Sequence, residues 1–478
     1  MDKLNNILTH FPFEPTADQH RFAELMVKFL SSRSEEGCFI LRGYAGTGKT
    51  TSISALVKAL PKFNFRTVLL APTGRAAKVI SQYSKKKAFT IHKRIYRKKQ
   101  SVGVDLSFEL APNLAENTIF IVDEASMIAD LMDYRGSSLL RDLIKHVFQP
   151  GPGGINKNCK LILVGDTAQL PPVGTTESVA LSGDYMKSNF HLDIIETELK
   201  TVVRQGEKSG ILANATLLRK IISSEQTGFP KLITKNFKDI FRMPGARLAE
   251  GLEYAYKKYG VENSLVICRS NKSANLFNNH IRSQLLYRDE ELTGGDHIMI
   301  VKNNYHWLPE NQETDFIANG DMAKIIRVRK EEERYGLRFA EVLLELMDYP
   351  EAGTLTCKVI LDTLSADTPN LSIETNKRLY EAVLNDYEHV KTKALRQQYI
   401  KEDPYYNALQ IKFSYAVTCH KAQGGQWDAV FVDQGYLTEE MVDTGFMRWL
   451  YTALTRSKSE LFLVNFSDSF FKDKVLEF

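Results

Sequence analysis

Three glycines, Gly43, Gly46 and Gly48, run into Lys49, Thr50 and Thr51 in the stretch LRGYAGTGKTT, and that order of residue types is suited to holding phosphate. It fits G-x-x-x-x-G-K-[ST]. Small residues let successive backbone N–H groups converge on an anion, the start of the following helix adds positive potential, and the lysine reaches the β and γ phosphates. The Thr50 hydroxyl is the candidate Mg²⁺ ligand. Gly43, Ala45, Gly46, Thr47, Gly48, Lys49, Thr50 and Thr51 are therefore the expected nucleotide contacts, after a strand (CFIL) and before a helical stretch (TTSISALVKAL).

A phosphate-bound Mg²⁺ also needs a carboxylate, and IFIVDEAS ends an apolar run on Asp123 and Glu124. Asp123 is the candidate metal ligand, and Glu124 is placed to orient and deprotonate an attacking water. A kinase has little use for such a glutamate, so the pair favours hydrolysis. A third stretch, LVGDTAQLPPVG, delivers Asp166 and Gln169. The Gln169 amide is uncharged and bonds two partners at once, which suits a γ-phosphate sensor.

The elements that position these residues are short. CFILRG, RTVLLAPTG, TIFIVDE and KLILVGD, then SLVICRS, AVFVDQG and ELFLVNF, are uniformly apolar runs. Such runs read as strands buried on both faces, and the helical stretches between them indicate parallel α/β layers. They form two groups, Cys38 to about Arg204 and about Ser264 to Phe478, hence two lobes. From about Leu292 to Gln410 the pattern alternates instead, with a turn expected at Asn319-Gly320. A polar, helix-favouring stretch follows from about Ser372 to Lys401.

The chain has 478 residues, 43% hydrophobic and 25% charged, too many for one compact core. No apolar run approaches the roughly 20 residues that span a bilayer, and the N-terminal stretch lacks the apolar centre of a signal peptide, so a cytoplasmic location with no membrane partner is expected. Its five cysteines are scattered without a CxxC pair, which points to buried thiols rather than disulfides or zinc. Net charge is only +4, but Lys85 to Lys99 holds eight Lys or Arg and no acid. Taken alone, that run reads as a solvated loop; a phosphate-backbone surface is the functional alternative.

These motifs, with others in a fixed order, resemble the superfamily 1 DNA helicases, within them the 5′ to 3′ branch of RecD and Dda. The series is PTADQ, the phosphate loop, APTGRAAK, TIHK, VDEASM, GDTAQLPPVG, TELKTVVRQ, CRSNKSANLFNNHIR, YAVTCHKAQGGQWD and LYTALTRSK, and it spans almost the whole chain. The resemblance implies an α/β fold of two RecA-like lobes closing around ATP. Gln19 would read adenine, Arg204 and Arg456 would neutralise charge on the transferred phosphoryl group, and Gly424 with Gln423 would couple nucleotide to DNA. Pro72, Thr73, His92 and Lys93 would hold DNA on the first lobe, and Asn271, Thr418, His420 and Lys421 on the second. Gln426 stands near where the family usually carries an acidic residue.

By the same resemblance, residues 1–84 and 118–203 form the first lobe and 85–117 a basic β-hairpin wedge with Phe108 or Val104 near its tip. Residues 204–291 and 411–478 form the second lobe, and 292–410 an SH3-like β insertion with a helical projection that docks on the wedge. The implied activity is a monomeric, ATP- and Mg²⁺-dependent helicase that moves 5′ to 3′ on single-stranded DNA and opens duplex forks in replication, recombination or repair. A RecD-type motor subunit of a helicase-nuclease complex and an RNA helicase of the same superfamily remain as alternatives.

Overall fold

The computed structural model describes residues 2–98, 108–132, 136–150, 157–202, 209–224, 226, 228–308, 316–347, 349 and 352–472. The first lobe is a six-stranded parallel sheet in the spatial order Ala88–Thr90, Arg66–Ala71, Thr118–Val122, Lys160–Gly165, Gly37–Gly43 and Asp193–Leu199. Its central strands Thr118–Val122 and Lys160–Gly165 are buried at every position, as uninterrupted β-branched and leucine runs require. The outer strand Asp193–Leu199 carries three acids in DIIETEL and is largely open on one side, so its apolar pattern is too weak to read as a buried strand.

A second parallel sheet, ordered Ala416–Thr418, Ser264–Cys268, Trp427–Asp433, Ser457–Val464 and Ile240–Met243, builds the other lobe. One apolar cluster joins the lobes: Ala168 and Leu170 of the first pack with Met447, Leu450 and Leu454 of the second. All five cysteines are buried and free. No helix among the described residues is long and apolar enough to cross a membrane.

Between strands of the second lobe, five strands close into a barrel: His297–Ile300, Met322–Arg334, Leu337–Leu346, Thr354–Ile360 and Leu409–Phe413. The expected turn at Asn319-Gly320 is present, closed by the Asp321 N–H donating to the Ala318 carbonyl (3.1 Å), and a second tight hairpin turn lies at Tyr335-Gly336, both left-handed at φ 55° and 70°. Gly320 (φ 96°) supplies the positive φ of the first of these turns, directly before Met322–Arg334. The last strand pairs parallel with Thr354–Ile360 and antiparallel with His297–Ile300, so the barrel runs past Gln410, the expected end of the insertion. Helices Ile373–Asp386 and Lys393–Glu402 pack back on the barrel through Leu379, Val383 and Ile400.

In the basic insertion, Ala88–Thr90 belongs to the first-lobe sheet, a short helix Ile91–Ile95 follows, and Tyr96–Lys98 pairs antiparallel with Phe108–Leu110. Phe108 stands opposite Lys98 in that ladder. Val104 and the rest of the expected wedge tip, with the helical projection's docking on it, fall outside the described residues.

Candidate active site

The phosphate loop leaves strand Gly37–Gly43 and enters helix Lys49–Ala59 through Gly48, whose φ of 86° caps the helix without a side chain. A Cβ at that angle is strained, and its absence leaves the first amides of the helix open to an anion. The Lys49 ammonium donates to the carbonyls of Gly43 (2.6 Å) and Tyr44 (3.0 Å), which holds it over the loop with a further N–H to spare. Thr47 is buried and its hydroxyl donates to the Tyr44 carbonyl (2.8 Å), bracing the turn. Thr50 is exposed in the cleft.

Asp123 and Glu124 end the neighbouring strand. Asp123 accepts from the Tyr83 hydroxyl (2.6 Å) through Oδ2 and from the Glu124 N–H (2.9 Å) through Oδ1. Tyr83 comes from helix Gly74–Ser84, and burial followed by the Asp123 charge pushes its hydroxyl well above the ordinary tyrosine range, so it remains a donor. Glu124 adopts a left-handed backbone, φ 53°, an uncommon conformation for a residue with a Cβ and one that concentrates at functional sites. Burial pushes its carboxyl up, Arg456 opposes that rise, and Asp123 adds to it.

Arg456 of the second lobe thus lies within electrostatic range of the carboxylate pair. It is 4% exposed, and its guanidinium donates to the carbonyls of Thr452 (3.1 Å) and Gly425 (3.2 Å) and to the Thr455 hydroxyl (3.2 Å). Arg204, its expected companion, falls outside the described residues. The third motif sits on the helix Thr444–Leu454 that precedes Arg456. Arg448 donates to the carbonyl of Thr167, the Leu170 N–H donates to the Thr452 hydroxyl (2.8 Å), and Gln423 donates to the Leu170 carbonyl (2.8 Å). Gln169 is buried, and its Oε1 has no hydrogen-bond partner among the described residues.

Gln19 closes a capping box at helix Ala17–Ser31: its Oε1 accepts from Thr16 N–H (3.0 Å) while the Thr16 hydroxyl accepts from Gln19 N–H (3.3 Å). The box fixes the amide in place.

On the other face, the residues expected to hold DNA fall into two groups. Pro72 and His92, with Thr90, line a cleft of about 650 Å³ whose opposite wall is the barrel and its helices, including Lys302, Asn303, Tyr305, Asn376 and Gln410. Lys302 donates to Asn376 (3.2 Å), and burial lowers its pKa. Thr73 caps helix Gly74–Ser84 through Ala76 N–H (3.2 Å), and the Lys93 ammonium lies 5.5 Å from the centre of the Phe89 ring. Asn271 starts helix Asn271–His280, and Thr418, His420 and Lys421 flank the turn of helix Cys419–Ala422. Lys421 lies close enough to Lys412 for the two charges to interact, and burial with that repulsion takes Lys412 down to about 8.

The two groups meet at Gly424, whose φ is 74°. A Cβ there would lie 2.9 Å from Ala76 Cβ and 3.1 Å from the Thr73 hydroxyl, so only glycine lets the second lobe come this close to the first. Beside it, the Arg75 guanidinium lies 3.9 Å from the centre of the Trp427 ring.

A family described as an AAA domain matches residues 18–226, the first lobe and the helix Gly210–Ser223 beyond it, and one described as a UvrD-like helicase C-terminal domain matches 413–464 of the second lobe. The ATP-dependent DNA helicase dda of Enterobacteria phage T4 is 24% identical over 457 residues, covering 89% of this chain and 93% of its own. The uncharacterized protein R530 of Acanthamoeba polyphaga mimivirus is 23% identical over 513 residues, covering 93% and 98%. The chain belongs to the superfamily 1 helicases of the RecD and Dda type. A solved structure of a Pif1 helicase from Bacteroides with ADP-AlF3 and single-stranded DNA covers 96% of the chain at 14% identity, with a TM-score of 0.47.

This helicase is an ATP-hydrolysing enzyme. Several of its cleft residues carry no signal in the sequence. Lys302, Asn303 and Tyr305 lie in an irregular segment of the barrel, where a lysine next to two asparagines reads as a turn. Tyr451 lies inside the quoted stretch LYTALTRSK, yet its partners are in the other lobe. The helicase motifs fix its place in the chain, and only the fold supplies its neighbours.

Proposed function

We propose that this helicase moves 5′ to 3′ along single-stranded DNA and unwinds duplex, driven by hydrolysis of Mg-ATP between its lobes. The observation that carries this reading is the convergence of Lys49, Glu124 and Arg456, from two sheets, on one pocket, with Glu124 subject to both cations. Lys49 and the loop amides bind the β and γ phosphates. Gln169 and Glu124 orient the attacking water, and Glu124 takes its proton. The Arg456 fork neutralises charge on the transferred phosphoryl when the lobes close.

Thr50, exposed in the cleft, and Asp123, held by Tyr83, are the oxygen donors that suit Mg²⁺. When bound, that ion neutralises the β and γ phosphates. Gln19 presents its amide to adenine.

On the DNA face, Pro72, Thr73, His92 and Lys93 grip one stretch of strand, and Asn271, Thr418, His420 and Lys421 grip the next. Alternating grip, timed by closure on ATP, moves the strand. Contacts of this kind go to phosphate and sugar, so binding is sequence-independent and salt-dependent.

Release of streptavidin from biotinylated oligonucleotides tests the direction. Faster ATP-dependent release from the 3′ end than from the 5′ end supports the reading. The reverse order overturns the polarity, and turnover that neither DNA nor RNA stimulates overturns the motor itself.

A further inference from the structure

Tyr451 sits in the middle of helix Thr444–Leu454 and is 1% exposed. Its hydroxyl accepts a hydrogen bond from the Ala45 N–H of the phosphate loop (2.9 Å) and donates one to Asp166 Oδ2 of the third motif (2.6 Å). One second-lobe oxygen therefore touches both first-lobe loops that frame the phosphates. Burial, reinforced by the Asp166 charge, keeps this hydroxyl protonated, well above the usual tyrosine range. Asp166 is fully buried, and its other oxygen accepts from the Ala168 N–H (3.0 Å), so the carboxylate is a fixed post rather than a mobile acid.

The same helix carries the rest of the contact. Arg448, one turn before Tyr451, holds the Thr167 carbonyl, and Thr452, just after it, receives the Leu170 N–H. Arg456 follows within five residues and donates back to the Thr452 carbonyl. Rotating or sliding this helix against the phosphate loop would shift the arginine by the same movement. Its register on the first lobe thus decides where the guanidinium lies. The Tyr451 bond to Ala45 ties this helix directly to the phosphate loop.

We propose that Tyr451 is a positioning residue for hydrolysis: its hydroxyl sets the register of the arginine-bearing helix on the phosphate loop, so that Arg456 meets the γ-phosphate in the transition state. This rests on the reading of the cleft as the site of ATP hydrolysis. A contact of this kind acts on the transition state more than on the bound ground state. Tyr451→Phe keeps the ring and removes only the oxygen. Loss of its two hydrogen bonds, from the Ala45 N–H and to the Asp166 carboxylate, then predicts roughly a tenfold fall in kcat.

The test compares wild type and Tyr451→Phe in single-stranded DNA-stimulated ATP turnover, and in their affinities for ADP and for ADP with aluminium fluoride. The expected result is kcat down about tenfold, KM for ATP and ADP affinity within about twofold, and the aluminium fluoride complex weakened about as much as kcat. Asp166→Asn keeps the side-chain volume, weakens the acceptor and should show the same split, which covers the case of a poorly folding Tyr451→Phe. Unchanged kcat and aluminium fluoride affinity in both variants overturn the assignment. So does a parallel loss of ADP affinity, which would mean that the tyrosine only shapes the loop. Wild-type protein without ATP turnover would instead overturn the hydrolysis reading beneath it.

Discussion

Gln423 reaches across the cleft and donates its side-chain amide to the backbone carbonyl of Leu170, 2.8 Å away, joining two residues 253 positions apart in the chain. The glutamine follows His420 and Lys421, proposed to hold DNA, and the leucine follows Gln169, proposed to face the nucleotide. In the proposed function this bond would be a short mechanical path from strand to phosphate. Its loss costs about 1 kcal/mol or more, because the Leu170 carbonyl is left buried without its donor. Gln423→Ala is expected to reduce stimulation of ATP turnover by single-stranded DNA about fivefold, with basal turnover nearly unchanged. Turnover measured with and without a poly-dT oligonucleotide checks this.

Arg456→Ala is expected to lower kcat by about 10³ or more, the usual effect of removing an arginine that stabilises the transferred phosphoryl, while ATP binding changes little. Arg456→Lys keeps the charge, loses the fork and should fall between the two. Steady-state kinetics give kcat and KM, and a thermal midpoint separates lost chemistry from lost packing at this buried site.

Much of this nucleotide pocket is legible in the sequence because its parts are local. A glycine loop between a strand and a helix, or an Asp-Glu pair closing an apolar run, is a property of eight to ten neighbouring residues. The buried strands Thr118–Val122 and Lys160–Gly165 are legible for the same reason. The bonds between lobes are not: Tyr451 and Ala45 are 406 residues apart, and no periodicity specifies their approach. Asp193–Leu199 escapes because three acids interrupt its apolar pattern at the sheet's edge, and the strand Leu409–Phe413 because it leads almost directly into the second lobe. The barrel wall of the cleft at Pro72 and His92 is hidden likewise, since Lys302 and Asn376 come together from separate elements.

Lys421 and Lys302 should differ from surface lysines in the salt dependence of DNA binding. Each phosphate neutralised on a single strand contributes about 0.7 to the slope of log affinity against log salt. Lys421→Ala and Lys302→Ala are each expected to flatten that slope by roughly this amount, as read by fluorescence anisotropy of a labelled oligonucleotide over a salt series. An unchanged slope would remove the lysine concerned from the DNA path.

Acid should destabilise the first lobe through His146. Burial lowers its pKa to about 4, its Nδ1–H donates to the Ala111 carbonyl (2.9 Å), and Nε2 is buried without a partner among the described residues. The folded state therefore prefers the neutral ring, whereas the unfolded chain takes up the proton near pH 6.5. Its contribution to stability is complete above pH 6.5 and is lost as pH falls towards 4. His297, also lowered to about 4 by burial, adds to the same window in the barrel. Thermal midpoints should drop steadily from pH 6.5 to 4, and His146→Gln, which cannot take up a proton there, should reduce that drop.

The most direct measurement is strand separation on duplexes bearing a 5′ tail, a 3′ tail or no tail, with ATP and Mg²⁺. Unwinding of the 5′-tailed duplex, little of the other two, and none of any with Arg456→Ala is the predicted result. Preferential unwinding of the 3′-tailed duplex, or full unwinding by the arginine variant, would contradict a motor that pulls its strand 5′ to 3′ by closing two lobes on ATP.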